Sequence, residues 1–200
     1  MKVQFNLKNV HYAVLDESQE TPTWGTPVPV PGAVTLTLDP AGDTSPFYAD
    51  GITYYQSIAN NGYEGDLEMA KFPDSMLKDV WGMTEDETSK VLVESADVEP
   101  KPFALLYQID GDVGNEFYLL YRCFGTRPGI GSTTNTETKE PQTQTSTISA
   151  VPLIAPAESG LNMLIKARTT AETTESIKTG WFKSVWTKSS SEQSNLSLEE

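Results

Sequence analysis

Two apolar runs, Phe103–Ile109 and Phe117–Phe124, lie on either side of Asp110-Gly111-Asp112-Val113-Gly114-Asn115. Each run has the length of a strand rather than of a helix, and the glycine-bearing link between them is a hairpin loop. Apolar residues fill successive positions instead of alternate ones. Both faces of the two strands must therefore be covered, which places the pair in the middle of a sheet.

The surrounding text supplies short strands. FNLKNVHYAVL reads as a strand, and DESQETPTWGTPVPVPG as a loop in which Pro27, Pro29 and Pro31 lack the amide donors that a central strand needs. AVTLTLDP alternates, with Val34, Leu36 and Leu38 on one side and Thr35 and Thr37 on the other. ITYYQSIANNGYEGDLEMA reads as two strands around Asn60-Asn61-Gly62, because Asn-Gly supports the positive φ of a tight hairpin turn. On its second strand Tyr63, Leu67 and Met69 share one face, and Glu64, Asp66 and Glu68 the other.

FPDSMLKDVWG is the one clear short helix. Met76, Leu77, Val80 and Trp81 form its apolar stripe, Pro73 stands in its first turn and Gly82 just past its end. VLVES, TISAVPLI and LNMLIKART read as further strands. In ETTESIKTGWFKSVW the residues Ile177, Trp181, Phe182 and Val185 have helical spacing, against which Gly180 counts. Residues 187–200 are poor in apolar side chains and are expected to be a disordered tail. The expectation is an all-β domain over 1–186 with one flanking short α-helix, a long polar β-loop and a terminal arm.

Function classes narrow through charge and missing chemistry. The chain of 200 residues carries a formal net charge of −14. From Asn9 to Ala70 there is no Lys or Arg, yet there are nine acids: Asp16, Glu17, Glu20, Asp39, Asp43, Asp50, Glu64, Asp66 and Glu68. Tight binding to nucleic acid needs the opposite sign. Solubility is the plain reading of such acidity, and a surface that must not hold an anion is the sharper one. No apolar run has signal-peptide or membrane-helix length, and the single Cys123 leaves no internal disulfide. Synthesis and assembly in the cytoplasm are the expectation.

A Cys-His dyad would have to pair Cys123 with His11, but Cys123 sits mid-strand among large apolar residues, where an inert thiol is expected. One His and one Cys cannot build a zinc site of the usual kind. IDGDVGNEF lacks the acidic spacing of a calcium loop, and GTRPGIG lacks the Lys-Ser/Thr ending of a phosphate loop. Glu64, Asp66 and Glu68 form a row rather than a convergent set, so a solvated face or the wall of an acidic channel is favoured over a metal or glycosidase site. No cofactor, no metal and no enzymatic activity are expected.

One further feature asks for an explanation. Between Gly131 and Thr147 there is no aliphatic or aromatic side chain other than Pro141, although strands flank the stretch on both sides. Its sequence context carries a resemblance. SPFYADGITYYQSIANNGYEGDLEMAKFPDSMLKDVWG, followed by EPKPFALLYQ at 99–108, YRCFG at 121–125 and TKEPQTQTSTI at 138–148, resembles the major tail protein family of long non-contractile-tailed bacteriophages. The shared order of phrases runs from about residue 3 to 186. The phrase TKEPQTQT is shorter here than the family's, and Arg122 stands alone among apolar neighbours.

The resemblance implies two packed β-sheets, sandwich- or barrel-like, flanked by a helix. It implies a virion structural protein that forms hexameric rings stacked into a tail tube, with DNA passing along the lumen without tight binding. Implied partners are further copies of the chain and other tail proteins: tape-measure, tail terminator and distal tail proteins. Residues 126–149 become a candidate inter-subunit loop, with Arg127, Thr134, Glu137, Lys139, Gln142 and Thr145 as its contact residues. Glu64, Asp66 and Glu68 become a candidate lumen-facing row. The competing reading is a monomeric β-sandwich binding module, of carbohydrate-binding or adhesin type, resting on Trp24, Tyr54, Tyr55 and Trp186.

Overall fold

The computed structural model describes residues 3–111, 114–134 and 141–188. The fold is mainly β. In chain order the strands and helices are β1 (Gln4–Asp16), β2 (Thr23–Trp24), β3 (Val28–Pro29), β4 (Ala33–Ala41), β5 (Thr44–Ala49), β6 (Ile52–Ile58), β7 (Gly62–Met69), α1 (Asp74–Asp79), β8 (Thr84–Glu85), β9 (Leu92–Val93), β10 (Phe103–Gly111), β11 (Glu116–Gly125), β12 (Gln144–Ala150), β13 (Lys166–Arg168) and α2 (Glu175–Gly180). One large antiparallel sheet runs β2-β1-β10-β11-β12-β7-β4, with β3 added to β1 and β13 to β11. Two small sheets, β5-β6 and β8-β9, stand beside it.

The double apolar run forms the expected central hairpin, with β10 and β11 paired from Phe103 opposite Cys123 to Ile109 opposite Glu116. Its two faces feed two cores. On one face Phe103, Leu105, Leu120 and Cys123 meet Leu67 and Met69 of β7, Ile148 of β12, and Val10 and Tyr12 of β1. The two halves of the sheet therefore pack face to face, consistent with a β-sandwich. On the other face Ala104, Leu106, Leu119 and Tyr121 are covered by the C-terminal stretch through Leu153, Leu161 and Trp181. Ile177, Phe182, Val185 and Trp186 pack against this second cluster. Residues 189–200, most of the expected tail, lie outside the described residues.

Helix α1 follows the expected design. Pro73 is extended at its N-cap, and Gly82 takes φ 67 just beyond its end. Met76, Val80 and Trp81 are buried, and the Trp81 indole meets Phe72 edge-on with 5.3 Å between ring centroids. The tail helix is short, and its last residue is Gly180.

Several strand expectations need correction. Val34 does not share the inward face with Leu36 and Leu38. Ala33 pairs with Met69 but Thr35 with Glu68, so Val34 is bulged out and exposed. The strand read in LNMLIKART shrinks to Lys166–Arg168, because a positive φ of 62 at Met163 turns the chain before it. VLVES keeps only Leu92–Val93 as a strand. Asp112 and Val113 of the central hairpin loop lie outside the described residues.

Candidate functional site

The expected pairing around Asn60-Asn61-Gly62 does not occur. β7 pairs with β4 on one side and β12 on the other, while β6 pairs with β5. The turn signal that decides this is Asp50-Gly51, which links β5 to β6 with φ of 53 and 74 at its two central residues. Positive φ at both positions is the tight-hairpin conformation that Asp-Gly favours. Residues Ala33 to Met69 thus form one long antiparallel ribbon. Its basal part is β4-β7, its distal part β5-β6, and the joint is held by Asn61 N–H donating to Ala41 O (2.8 Å) and Ala59 N–H donating to Asp43 O (2.9 Å). Asn60 and Gly62 serve that joint: Gly62 N–H donates to Asn60 Oδ1 at 3.2 Å, and Gly62 takes φ 106.

The distal hairpin is exposed along nearly all its length. Phe47, Tyr48, Ile52, Tyr54, Tyr55 and Ile58 are 60–75% exposed, on a chain that buries Leu67, Met69, Leu105 and Leu106 completely. Scattered apolar residues on a surface need no explanation, but this many on one small element make it a candidate interaction site.

The acidic row lies on the basal part of the same ribbon, directed away from the core. Glu64 and Asp66 are exposed and Glu68 half-buried, while Leu67 and Met69 are buried and Tyr63 half-buried. The register sets Thr37 and Thr147 on either side of Asp66, and Thr35 and Thr145 on either side of Glu68. Thr147 Oγ1 donates to Asp66 Oδ1 at 2.8 Å, and Thr143 Oγ1 to Glu68 Oε1 at 2.6 Å. Gly65 sits between the acids because a Cβ there would run into the Thr37 carbonyl of β4. The result is a flat, polar, acidic face three strands wide.

The polar stretch after β11 divides in two. Gln144–Ala150 is strand β12, paired along its length with β7 and in its second half with β11. Thr145 is therefore part of the chain's own sheet, and Thr126 N–H extends the ladder by donating to Thr147 O at 2.9 Å. The strand read in TISAVPLI is present but shifted: it begins earlier, at Gln144, where the outward residues are Thr and Ser, and ends at Ala150; its inward pattern is Ser146, Ile148 and Ala150. Arg127 is tied to its own chain, through Nη1 to Glu94 Oε1 (2.8 Å) and Nη2 to the Val98 carbonyl (3.2 Å). Thr134 and Gln142 are exposed, and Glu137 and Lys139 lie outside the described residues.

The groups weighed for catalysis do not meet. Cys123 is fully buried in the first core, and burial pushes its thiol well up from the ordinary range. His11 stacks on Phe182, which packs on the other face of the sheet, and its Nδ1 lies 2.8 Å from Asn9 O. Among the described residues no three His, Cys, Asp or Glu side chains gather in a way that could hold a metal ion. A cleft of about 900 Å³ lies between Ile109, Glu116, Phe117, Arg168 and Lys178. Of the two carboxylates that line it, Glu175 lies near Lys178 and Glu116 is fully engaged: its Oε2 accepts from Tyr118 OH (2.6 Å), Arg168 Nη1 (3.1 Å) and Gln4 Nε2 (3.2 Å). The Tyr118 hydrogen bond foremost, with Arg168 beside it, holds the Glu116 carboxyl below the usual range.

Two other expectations are altered. Arg122, odd among apolar neighbours, makes a two-pronged ion pair with Glu17 (Nε–Oε1 2.8 Å, Nη2–Oε2 3.2 Å) and lies over the Phe124 ring. The four aromatics of the binding-module reading do not share one surface. Trp24 donates its indole N–H to Tyr121 O and packs on the second core, and Trp186 stacks on Trp181, leaving Tyr54 and Tyr55 on the distal hairpin. Scans of protein-family models and of curated proteins find no match to this chain. Among the described residues no helix is long and apolar enough to cross a membrane.

Proposed function

We propose that this chain is a structural subunit that assembles with copies of itself, as a tail-tube protein of a long-tailed phage does. The observation that carries the reading is the distal hairpin. Six large apolar side chains on one uncovered element have no role in the monomer's core, and a partner chain is what such a surface serves.

The resemblance of its phrases to those of major tail proteins supports a form for the assembly: hexameric rings stacked into a tube, in the virion tail, built in the host cytoplasm. The neighbours at its ends and within it are tape-measure, terminator and distal tail proteins. The acidic face of β7 suits the lumen of such a tube. Six subunits at −14 each give −84 per ring, and a wall of that sign lets DNA slide without holding it. Electron microscopy of the concentrated, negatively stained protein tests the proposal. Hollow tubes of stacked rings are expected, and a monomer at every concentration refutes it.

A further inference from the structure

We infer that, of the three steps in the chain where Asn or Asp precedes Gly, folding closes two to succinimide chemistry and leaves Asp50-Gly51, at the tip of the distal hairpin, as the site where the folded subunit converts aspartate to isoaspartate. The inference does not depend on the tube reading.

Glycine has no side chain to hinder its backbone nitrogen from attacking the side-chain carbonyl of the residue before it. The Gly N–Cγ bond forms, and the Cγ substituent leaves: ammonia from Asn, or water from a protonated Asp carboxyl. Water then opens the five-membered ring at either carbonyl and yields Asp or isoaspartate. In isoaspartate the main chain runs through the side-chain methylene and is one carbon longer. In an open chain the amide reacts faster than the acid. The sequence alone therefore ranks Asn61-Gly62 first, with Asp50-Gly51 and Asp110-Gly111 behind it.

The fold reverses that order. At Asn61-Gly62 the attacking nitrogen has its proton held by Asn60 Oδ1 at 3.2 Å, and Asn61 N–H is held by Ala41 O at 2.8 Å. Gly62 is buried at φ 106, and a Cβ there would lie 1.9 Å from the Ala150 carbonyl oxygen. Neither the ring nor an extra carbon fits, so reaction waits for the joint of the ribbon to open. At Asp110-Gly111 the carboxylate accepts from Lys8 Nζ at 2.6 Å and from Gln108 Nε2 at 2.8 Å. The Lys8 contact first of all holds the Asp110 carboxyl below its ordinary range, which makes the protonated form that loses water scarce. Gly111 is itself paired with Gln4 in the β1–β10 ladder.

Asp50-Gly51 has none of these restraints. Both residues are exposed, and a Cβ on Gly51 would meet nothing within 4 Å. They are the two central residues of a turn closed by Ala49 opposite Ile52. Such a turn spends its ladder bonds on the closing pair and leaves the Gly51 N–H to water. The flanking strands are exposed nearly throughout, so the tip opens without disturbing either core. An extra main-chain carbon in a two-residue turn carries Ala49 off Ile52 and slips the register behind it. The change therefore loosens the one hairpin that displays uncovered apolar side chains, while the body of the fold is kept.

The variant Asp50→Asn of the full chain tests this, because it sets the same Asn-Gly chemistry at positions 50 and 61 of one molecule, and Asn-Gly suits this turn. It is incubated at neutral pH, folded and in urea, then digested, and the peptides are resolved by mass spectrometry. In urea the two positions should deamidate at similar rates. In the folded chain position 50 should outpace position 61 by at least about tenfold. In the unaltered chain, aged while folded, labelling by an isoaspartyl methyltransferase should concentrate on the peptide that holds Asp50, ahead of those that hold Asn61 and Asp110. Hydrogen exchange of the aged chain should lose slow amides in β5 and β6 and keep them in β4 and β7. Similar rates at positions 50 and 61 in the folded variant, or isoaspartate at 61 or 110 ahead of 50 in the unaltered folded chain, would overturn the inference.

Discussion

Trp81→Ala should be among the most damaging single changes in the chain. Trp81 is 2% exposed, and its ring lies edge-on to Phe72, with 5.3 Å between centroids. Its indole N–H donates to Gly125 O on β11 at 3.0 Å. Truncating a buried aromatic to Ala costs about 3–5 kcal/mol through lost transfer free energy and the cavity left behind. The lost hydrogen bond adds about 1 kcal/mol, which places the change at the top of that range. For a chain of this size each kcal/mol shifts the melting temperature by about 2–4 °C, so a fall of roughly 10–20 °C is expected.

Trp81→Phe separates the two contributions. It keeps most of the packing and loses the N–H donor, so about 1–2 kcal/mol is expected. Tyr54→Ala, at a residue 72% exposed on the distal hairpin, should change stability by no more than about 0.5 kcal/mol. Urea and thermal unfolding followed by far-ultraviolet circular dichroism measure all three. If Trp81→Ala costs less than about 1 kcal/mol, α1 does not hold the first core closed and the reasoning fails.

Two further outcomes are expected. In the proposed six-membered ring, changing Glu64, Asp66 and Glu68 together to Gln removes 18 formal charges, three per subunit; on that proposal folding and tube formation should persist, while DNA release slows, most at low salt. Release kinetics identical to the unaltered particle at every ionic strength would place the row on the outside of the tube. At alkaline pH, burial raises the Tyr107 and Tyr121 phenols, and burial first of all raises Tyr12 to about 12. In the unfolded chain they ionise near 10, so their contribution is complete below about pH 10 and is lost as pH rises through the folded values. Phenolate absorbance from these three should therefore appear together with unfolding, and its appearance in a still-folded chain would contradict their burial.

Much of this was legible in the residues. The central hairpin, its burial on both faces and the α1 stripe follow from local patterns of apolar side chains, which report burial directly. So does the separation of Glu64, Asp66 and Glu68 from Leu67 and Met69, because side chains alternate along any strand. Partner choice was less accessible. Two turn signals, Asp50-Gly51 and Asn61-Gly62, stand eleven residues apart, and either one can reverse a chain. The positive φ at Asp50 and Gly51 shows which one does, and Asn60 and Gly62 serve the joint within the ribbon instead.

The sequence by itself determined that the chain is mainly β, where the central hairpin and the first helix lie, and which row of β7 leaves the core. Periodicity and turn chemistry are local properties, and a single strand displays them without its neighbours. Tertiary structure decided what pairs with what. It placed the Thr-rich segment Gln144–Ala150 between β7 and β11, tied Arg122 to Glu17 across 105 positions of sequence, and left β5 and β6 uncovered. None of these has a local signal. A polar strand becomes central because both neighbours need its backbone hydrogen bonds, and an apolar hairpin stays exposed because the body's two cores are already filled by other elements.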